Sequence, residues 1–146
     1  FHCTSSTQSD IATSSDVYVL EGDGSETYDV NGDVTLSNNV SFSPGDVRYF
    51  TAPVTGKYLF GFRARFDQLP IGATYIYVRM QTSNRAYTIA MFDPDAFDSD
   101  PVYWSVQGTV IADMDSGDTA YPIIHQASGT QQMDISSTEY YGLLVG

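Results

Sequence analysis

From Lys57 to Phe66 the chain alternates without a break. Tyr58, Phe60, Phe62, Ala64 and Phe66 fall on one side, and Lys57, Leu59, Gly61, Arg63 and Arg65 on the other. A period of two is that of an extended strand; a helix would scatter the four aromatic rings around its circumference. Ten residues at about 3.3 Å each make a strand roughly 33 Å long, and its aromatic face needs a core along that whole length. The second face carries two arginines, which must snorkel to water or pair with carboxylates on neighbouring strands or subunits.

The rest of the chain repeats the pattern in shorter pieces. Tyr75, Tyr77 and Arg79 alternate with Thr74, Ile76, Val78 and Met80 over residues 73–81, and further strands are predicted at 17–20, 47–51, 85–92, 102–114 and 118–126. The breaks between them are turn chemistry: the acidic turn Glu21-Gly22-Asp23-Gly24, Ser43-Pro44-Gly45-Asp46, the polar loop from Asp93 to Pro101, and Asp115-Ser116-Gly117. Asn31-Gly32 has the form of a tight hairpin turn. No segment has helical spacing over a useful length, and aromatic residues make up 14% of the chain, which favours strands. With 146 residues, one domain is the expectation. The last segment, Tyr140 to Gly146, is apolar on both faces, with Tyr140, Gly142 and Leu144 on one and Tyr141, Leu143 and Val145 on the other. Such a strand belongs inside a sheet, with one cover from the core and the other from a further surface, including another subunit.

Residues 1–16 are rich in serine and threonine with Ile11 as the aliphatic anchor, and read as a polar tether to an upstream region, leaving 17–146 as the folded domain. Cys3 is the single cysteine, so no internal disulfide forms; in a tether it is a leftover thiol or a link between chains. The formal charge of −12 excludes a nucleic-acid partner that needs a basic patch. No apolar run approaches the roughly 20 residues of a membrane-spanning helix.

Three stretches together resemble a known family. Tyr49-Phe50-Thr51-Ala52-Pro53-Val54-Thr55-Gly56-Lys57-Tyr58-Leu59-Phe60 is similar to the F-T-A-P-x-x-G-x-Y-x-F signature of the complement C-one-q globular heads, within the tumour necrosis factor superfamily. Met114-Asp115-Ser116-Gly117-Asp118 resembles the family's L-x-x-G-D turn, and Tyr140-Tyr141-Gly142-Leu143-Leu144 its closing F-S-G-F-L-L strand. The resemblance frames residues from about 47 to 146. It implies an all-β jelly-roll sandwich of about ten strands that assembles as a homotrimer, with the last strand near the subunit contacts and a binding role. Heads of this kind sit at the C-terminal tips of viral and phage fibres and spikes. No Gly-X-Y repeat is present, so no collagen stalk lies within these residues.

Catalytic signatures are missing. There is no Gly-x-Ser-x-Gly, His-Glu-x-x-His or P-loop, and His125 reads as a hydrogen-bonded strand histidine. A non-enzymatic head is expected, requiring no cofactor. Calcium is the candidate metal, since hard cations take roughly six to eight oxygens. Its first-choice site is the loop of Asp93, Asp95, Asp98 and Asp100; Glu21, Asp23 and Glu26, and Asp113, Asp115 and Asp118, are further acidic clusters. Phe97, Tyr103 and Trp104, with Asn84 and Arg85, are the candidate ligand-binding residues, because aromatics beside carboxylates suit stacking on sugars and hydrogen bonds to hydroxyls. Tyr103 and Trp104 have a second reading as core or trimer contacts. The expected partner is a host-surface glycan or protein, met outside the cell or at a virion surface.

Overall fold

The computed structural model describes residues 1–5, 7–18, 26–37 and 47–146. The turns at 21–24 and 43–46, and Glu21 and Asp23 of the second acidic cluster, lie outside the described residues, as does the Glu26 side chain. Eleven strands are named among the described residues: β1 His2–Ser5, β2 Asp16–Tyr18, β3 Glu26–Tyr28, β4 Val34–Ser37, β5 Val47–Thr51, β6 Gly56–Asp67, β7 Tyr75–Thr82, β8 Ala86–Phe92, β9 Tyr103–Met114, β10 Thr119–Ala127 and β11 Asp134–Leu144. They form two antiparallel sheets: β3-β1-β11-β6-β9, and β4-β5-β10-β7-β8 with β2 added on β10. This is the all-β jelly-roll sandwich that the sequence implies.

The aromatic face of β6 is the core face. Tyr58, Phe60, Phe62, Ala64 and Phe66 are all buried, and they meet Ile76, Val78 and Met80 of β7, Ile124 of β10, and Val106, Ala112 and Met114 of β9. Burial of side chains this size is worth roughly 1.5–3 kcal/mol each, so β6 is the spine of the fold. Pro122 sits inside β10 at a point the topology permits. On that side β5 pairs with Thr119 and Ala120, and β2 with Ile123, Ile124 and His125; the proline falls in the interval between the two partners.

Two expectations are corrected. Residues 1–16 are not a tether: β1 is an inner strand, paired with β11 from His2↔Tyr141 to Ser5↔Thr138 and with β3 on its other side. Serine and threonine suit a strand with one wet face, and Cys3 and Ile11 point inward and are buried. Cys3 is therefore a core thiol of the folded chain, with no reach to another chain. The segment after β1 crosses from one sheet to the other, through Gln8 paired with Ile135 and Ser14 N–H donating to Gln126 O at 2.7 Å.

Asn31-Gly32 is likewise not a hairpin turn. The strands around it lie in different sheets, β3 on β1 and β4 on β5. The Asp29 carboxylate accepts from Val34 N–H at 2.7 Å and Asn31 N–H at 3.4 Å. Burial works to raise its pKa, but the backbone hydrogen bonds from Val34, Asp33, Asn31 and Gly32 outweigh it and hold the carboxyl below its ordinary value. Gly32 takes φ +71°, so Asn31-Gly32 makes a turn, one that links two sheets instead of two paired strands.

Candidate functional site

The sandwich has a near end and a far end. At the near end Phe1 N donates to Gly142 O at 3.0 Å and Lys57 N–H donates to Gly146 O at 2.5 Å, so both termini sit there with the turns at 52–56, 82–85 and 115–118. The far end is built from 8–15, 67–74, 93–102 and 128–133. The predicted ligand residues divide between the two. Asn84 and Arg85 occupy the β7–β8 turn at the near end, whereas Phe97, Tyr103 and Trp104 are at the far end.

At the far end Phe97 meets Trp104 edge-on with centroids 4.7 Å apart, and Phe92 lies behind at 6.4 Å. Tyr103 is separated from them. Adjacent residues of a strand face opposite ways, so Tyr103 turns to the outer face of the five-stranded sheet. There the Arg65 guanidinium lies 4.5 Å from its ring centroid. Tyr103 and Val102 remain largely exposed, and Trp104 is 39% exposed. The backbone here is unusual: of the five non-glycine residues with positive φ among the described residues, Asp10, Ser14, Gln68 and Ser128 are at this end. Each such residue costs about 1 kcal/mol. Side-chain amides hold the loops, with Gln131 Nε2 donating to Gln68 O at 3.1 Å and Gln132 Nε2 to Asp10 O at 2.9 Å.

The four aspartates of the 93–100 loop do not converge. Asp93 caps the 3-10 turn Pro94–Ala96 by accepting from Asp95 N–H, and Asp100 Oδ1 accepts from Ile71 N–H at 2.9 Å. Among the described residues no three His, Cys, Asp or Glu side chains are grouped to hold one ion. Asp118 of the third acidic cluster is likewise a tie between turns. It accepts from Asn84 Nδ2 at 2.6 Å, Ser83 Oγ at 3.1 Å and Asp115 N–H at 2.9 Å, while Ala52 N–H donates to its backbone oxygen.

The larger surface feature is the outer face of the five-stranded sheet. Cross-strand register sets Leu143, Leu59 and Ile111 in one row, and Tyr28, His2, Tyr141, Gly61 and Thr109 in the next. His2 stacks on Tyr28 at 5.9 Å, and the Tyr141 ring lies over Gly61 so closely that a Cβ there would overlap it. Ile111 is 57% and Leu143 50% exposed. Toward the far end the same face turns polar. Arg63 pairs with Glu139 across the strands at 2.6 Å, as expected, whereas Arg65 grips Asp67 of its own strand through two hydrogen bonds of 2.7 and 3.0 Å and donates to Ser136 Oγ of β11 at 3.0 Å. The Arg65 hydrogen bonds hold the Asp67 carboxyl below its ordinary value, and Ser136 adds to them. Tyr28 and His2 were missed because their strands were not read. The alternation of Leu59 with Tyr141 and Leu143 was the signal available for the rest.

His125 sits on the opposite sheet. Its Nδ1 lies 2.9 Å from Asp16 Oδ1, and its ring stacks on Tyr77 at 4.8 Å. Asp16 also accepts from Tyr77 OH at 2.6 Å and pairs with Arg79. The histidine is thereby committed to fastening β2 onto β10.

No family model and no curated protein matches the chain. Among solved structures, the globular domain of zebrafish complement 1qA protein is similar, with a TM-score of 0.59 and 19% identity, covering 99% of this chain and 97% of that one. The two share a fold over their whole lengths. The likeness includes β1, which lies before the motifs that carried the resemblance.

Proposed function

We propose that this chain is a non-catalytic recognition head that works as a homotrimer, carried at the C-terminal tip of a viral or phage fibre or spike, where it binds a host-surface glycan or protein. The observation that carries the trimer is the uncovered apolar half of the outer sheet face. Leu59, Ile111, Leu143 and Tyr141 form a contiguous patch across β11, β6 and β9, on the face opposite the buried Tyr58, Phe60 and Phe62. A second and third copy are its natural cover, because a contact between unlike patches closes into a ring. The far end, remote from both termini, then points away from any attached shaft, and Phe97 and Trp104 with the 128–132 loop supply the receptor contacts. Strained backbone gathered at that end supports this reading. The likeness to a cellular complement head keeps a secreted recognition head as the second reading, and a trimerisation cap that binds nothing is the structural alternative.

Light scattering after size exclusion tests the assembly. The wild type is expected at three times the 16.0 kDa chain mass, and Leu143→Asp at one. A wild-type monomer at every salt concentration overturns the trimer. Trp104→Ala should keep the trimer and lose host-cell binding at least about tenfold, the share of a truncated aromatic anchor; unchanged binding would move the receptor site elsewhere.

A further inference from the structure

A cleft of about 280 Å³ opens at the near end between the β7–β8 turn and the end of β9, lined by Asn84, Arg85, Asp113, Met114 and Asp115. Its charges are arranged oddly. Arg85 shares the cleft with two carboxylates, yet it forms no ion pair among the described residues. Asp113 is met instead by Lys57 at 3.6 Å, and Asp115 Oδ1 lies 3.5 Å from Thr55 Oγ1. In a chain with 18 acidic and 6 basic residues, an arginine beside carboxylates and still unpaired leaves a gap lined by donors on one wall and acceptors on the other.

The walls are fixed before any ligand arrives. Thr82 Oγ1 accepts from Arg85 N–H and donates to Arg85 O, and Asp118 holds Asn84 Nδ2 and Asp115 N–H. Met114, buried in the core beneath, anchors the strand end that carries Asp113 and Asp115.

We infer that this cleft is a binding site for a single neutral sugar residue. Each sugar hydroxyl both donates and accepts, so adjacent hydroxyls can give to Asp113 or Asp115 while receiving from Arg85. A simple anion is repelled by the two carboxylates and a simple amine by Arg85. The volume, just under the roughly 300 Å³ at which drug-sized pockets begin, suits one ring. The site is separate from the aromatic far end, and Asp113, which follows Ile111 on the outer face of β9, sets it at the border of the proposed subunit contact. Particle mass reports the trimer, whereas the cleft is read at its own amides.

The test is an amide-resolved NMR titration of the whole chain with methyl glycosides of glucose, galactose, mannose and N-acetylglucosamine, and with glycine as the zwitterionic control. Saturable shifts at Asn84, Arg85, Asp115 and Ser116, half-complete at roughly millimolar sugar, are expected for at least one glycoside. Arg85→Ala, whose side chain supports no other described contact, should weaken them at least about tenfold while leaving the remaining spectrum in place. Asp113→Asn should weaken them as well. Shifts with glycine alone, shifts confined to the far end, or no saturable shift with any glycoside would each overturn the inference.

Discussion

Gly61 shows how one residue shapes the proposed subunit contact. The Tyr141 ring occupies the space a side chain would take. Gly61→Ala is expected to push Tyr141 off the sheet, cost about 1–3 kcal/mol in denaturant unfolding, and weaken the trimer. Adding Tyr141→Ala should recover most of the unfolding loss and none of the assembly. Tyr77 gives a second residue-scale prediction. Burial, then its hydrogen bond to Asp16, raises its pKa from 10.0 to about 12. Because the folded state holds this proton more tightly, the stabilisation is complete below pH 10 and is lost as pH rises toward 12. Absorbance titration of phenolate should show one late tyrosine that is absent from Tyr77→Phe.

Elements were legible where a period was local. The buried face of β6 and the alternation of β7 could be read residue by residue, because every residue in each run agrees with the pleat. β1 could not: His2–Ser5 is too short and polar to show a period, and what makes it a strand is β11, whose pairing begins at Thr138. The grouping of the ligand residues was hidden for another reason. Asn84 and Arg85 lie in the β7–β8 turn and Phe97 in the next connection, and successive connections of antiparallel strands fall at opposite ends. That geometry was available from strand order, and proximity in sequence obscured it. Asp29 carries the prediction at this scale, since it braces the link between β3 and β4. Its depressed pKa means that its contribution is present above about pH 3.8 and is lost as pH falls below it. Asp29→Ala should lose about 1 kcal/mol at neutral pH, and the gap from wild type should close in acid. A gap that persists at pH 2 would remove the carboxylate from the explanation.

For the whole molecule, the charge of −12 is the dominant long-range term. Three copies bring that repulsion together, and its range shrinks from roughly 30 Å at 0.01 M salt to about 8 Å at 0.15 M. The proposed trimer is therefore expected to dissociate at higher protein concentration in dilute buffer than in physiological salt, a difference that sedimentation equilibrium measures directly; a salt-independent constant would mean that acidic groups lie away from the contact. The surface proposed for assembly was less legible than the fold because no single strand encodes it: the apolar patch exists only once β11, β6 and β9 lie side by side. That juxtaposition also fixes when the chain finishes folding. The strand beginning at His2 sits between β3 and a strand that ends at Leu144, so the five-stranded sheet cannot close until β11 has been synthesised. Contacts this distant in sequence slow folding. Cys3, buried in the core beside that seam and the only thiol in the chain, times the event: its loss of reactivity toward an alkylating reagent marks the moment the first strand is captured by the last.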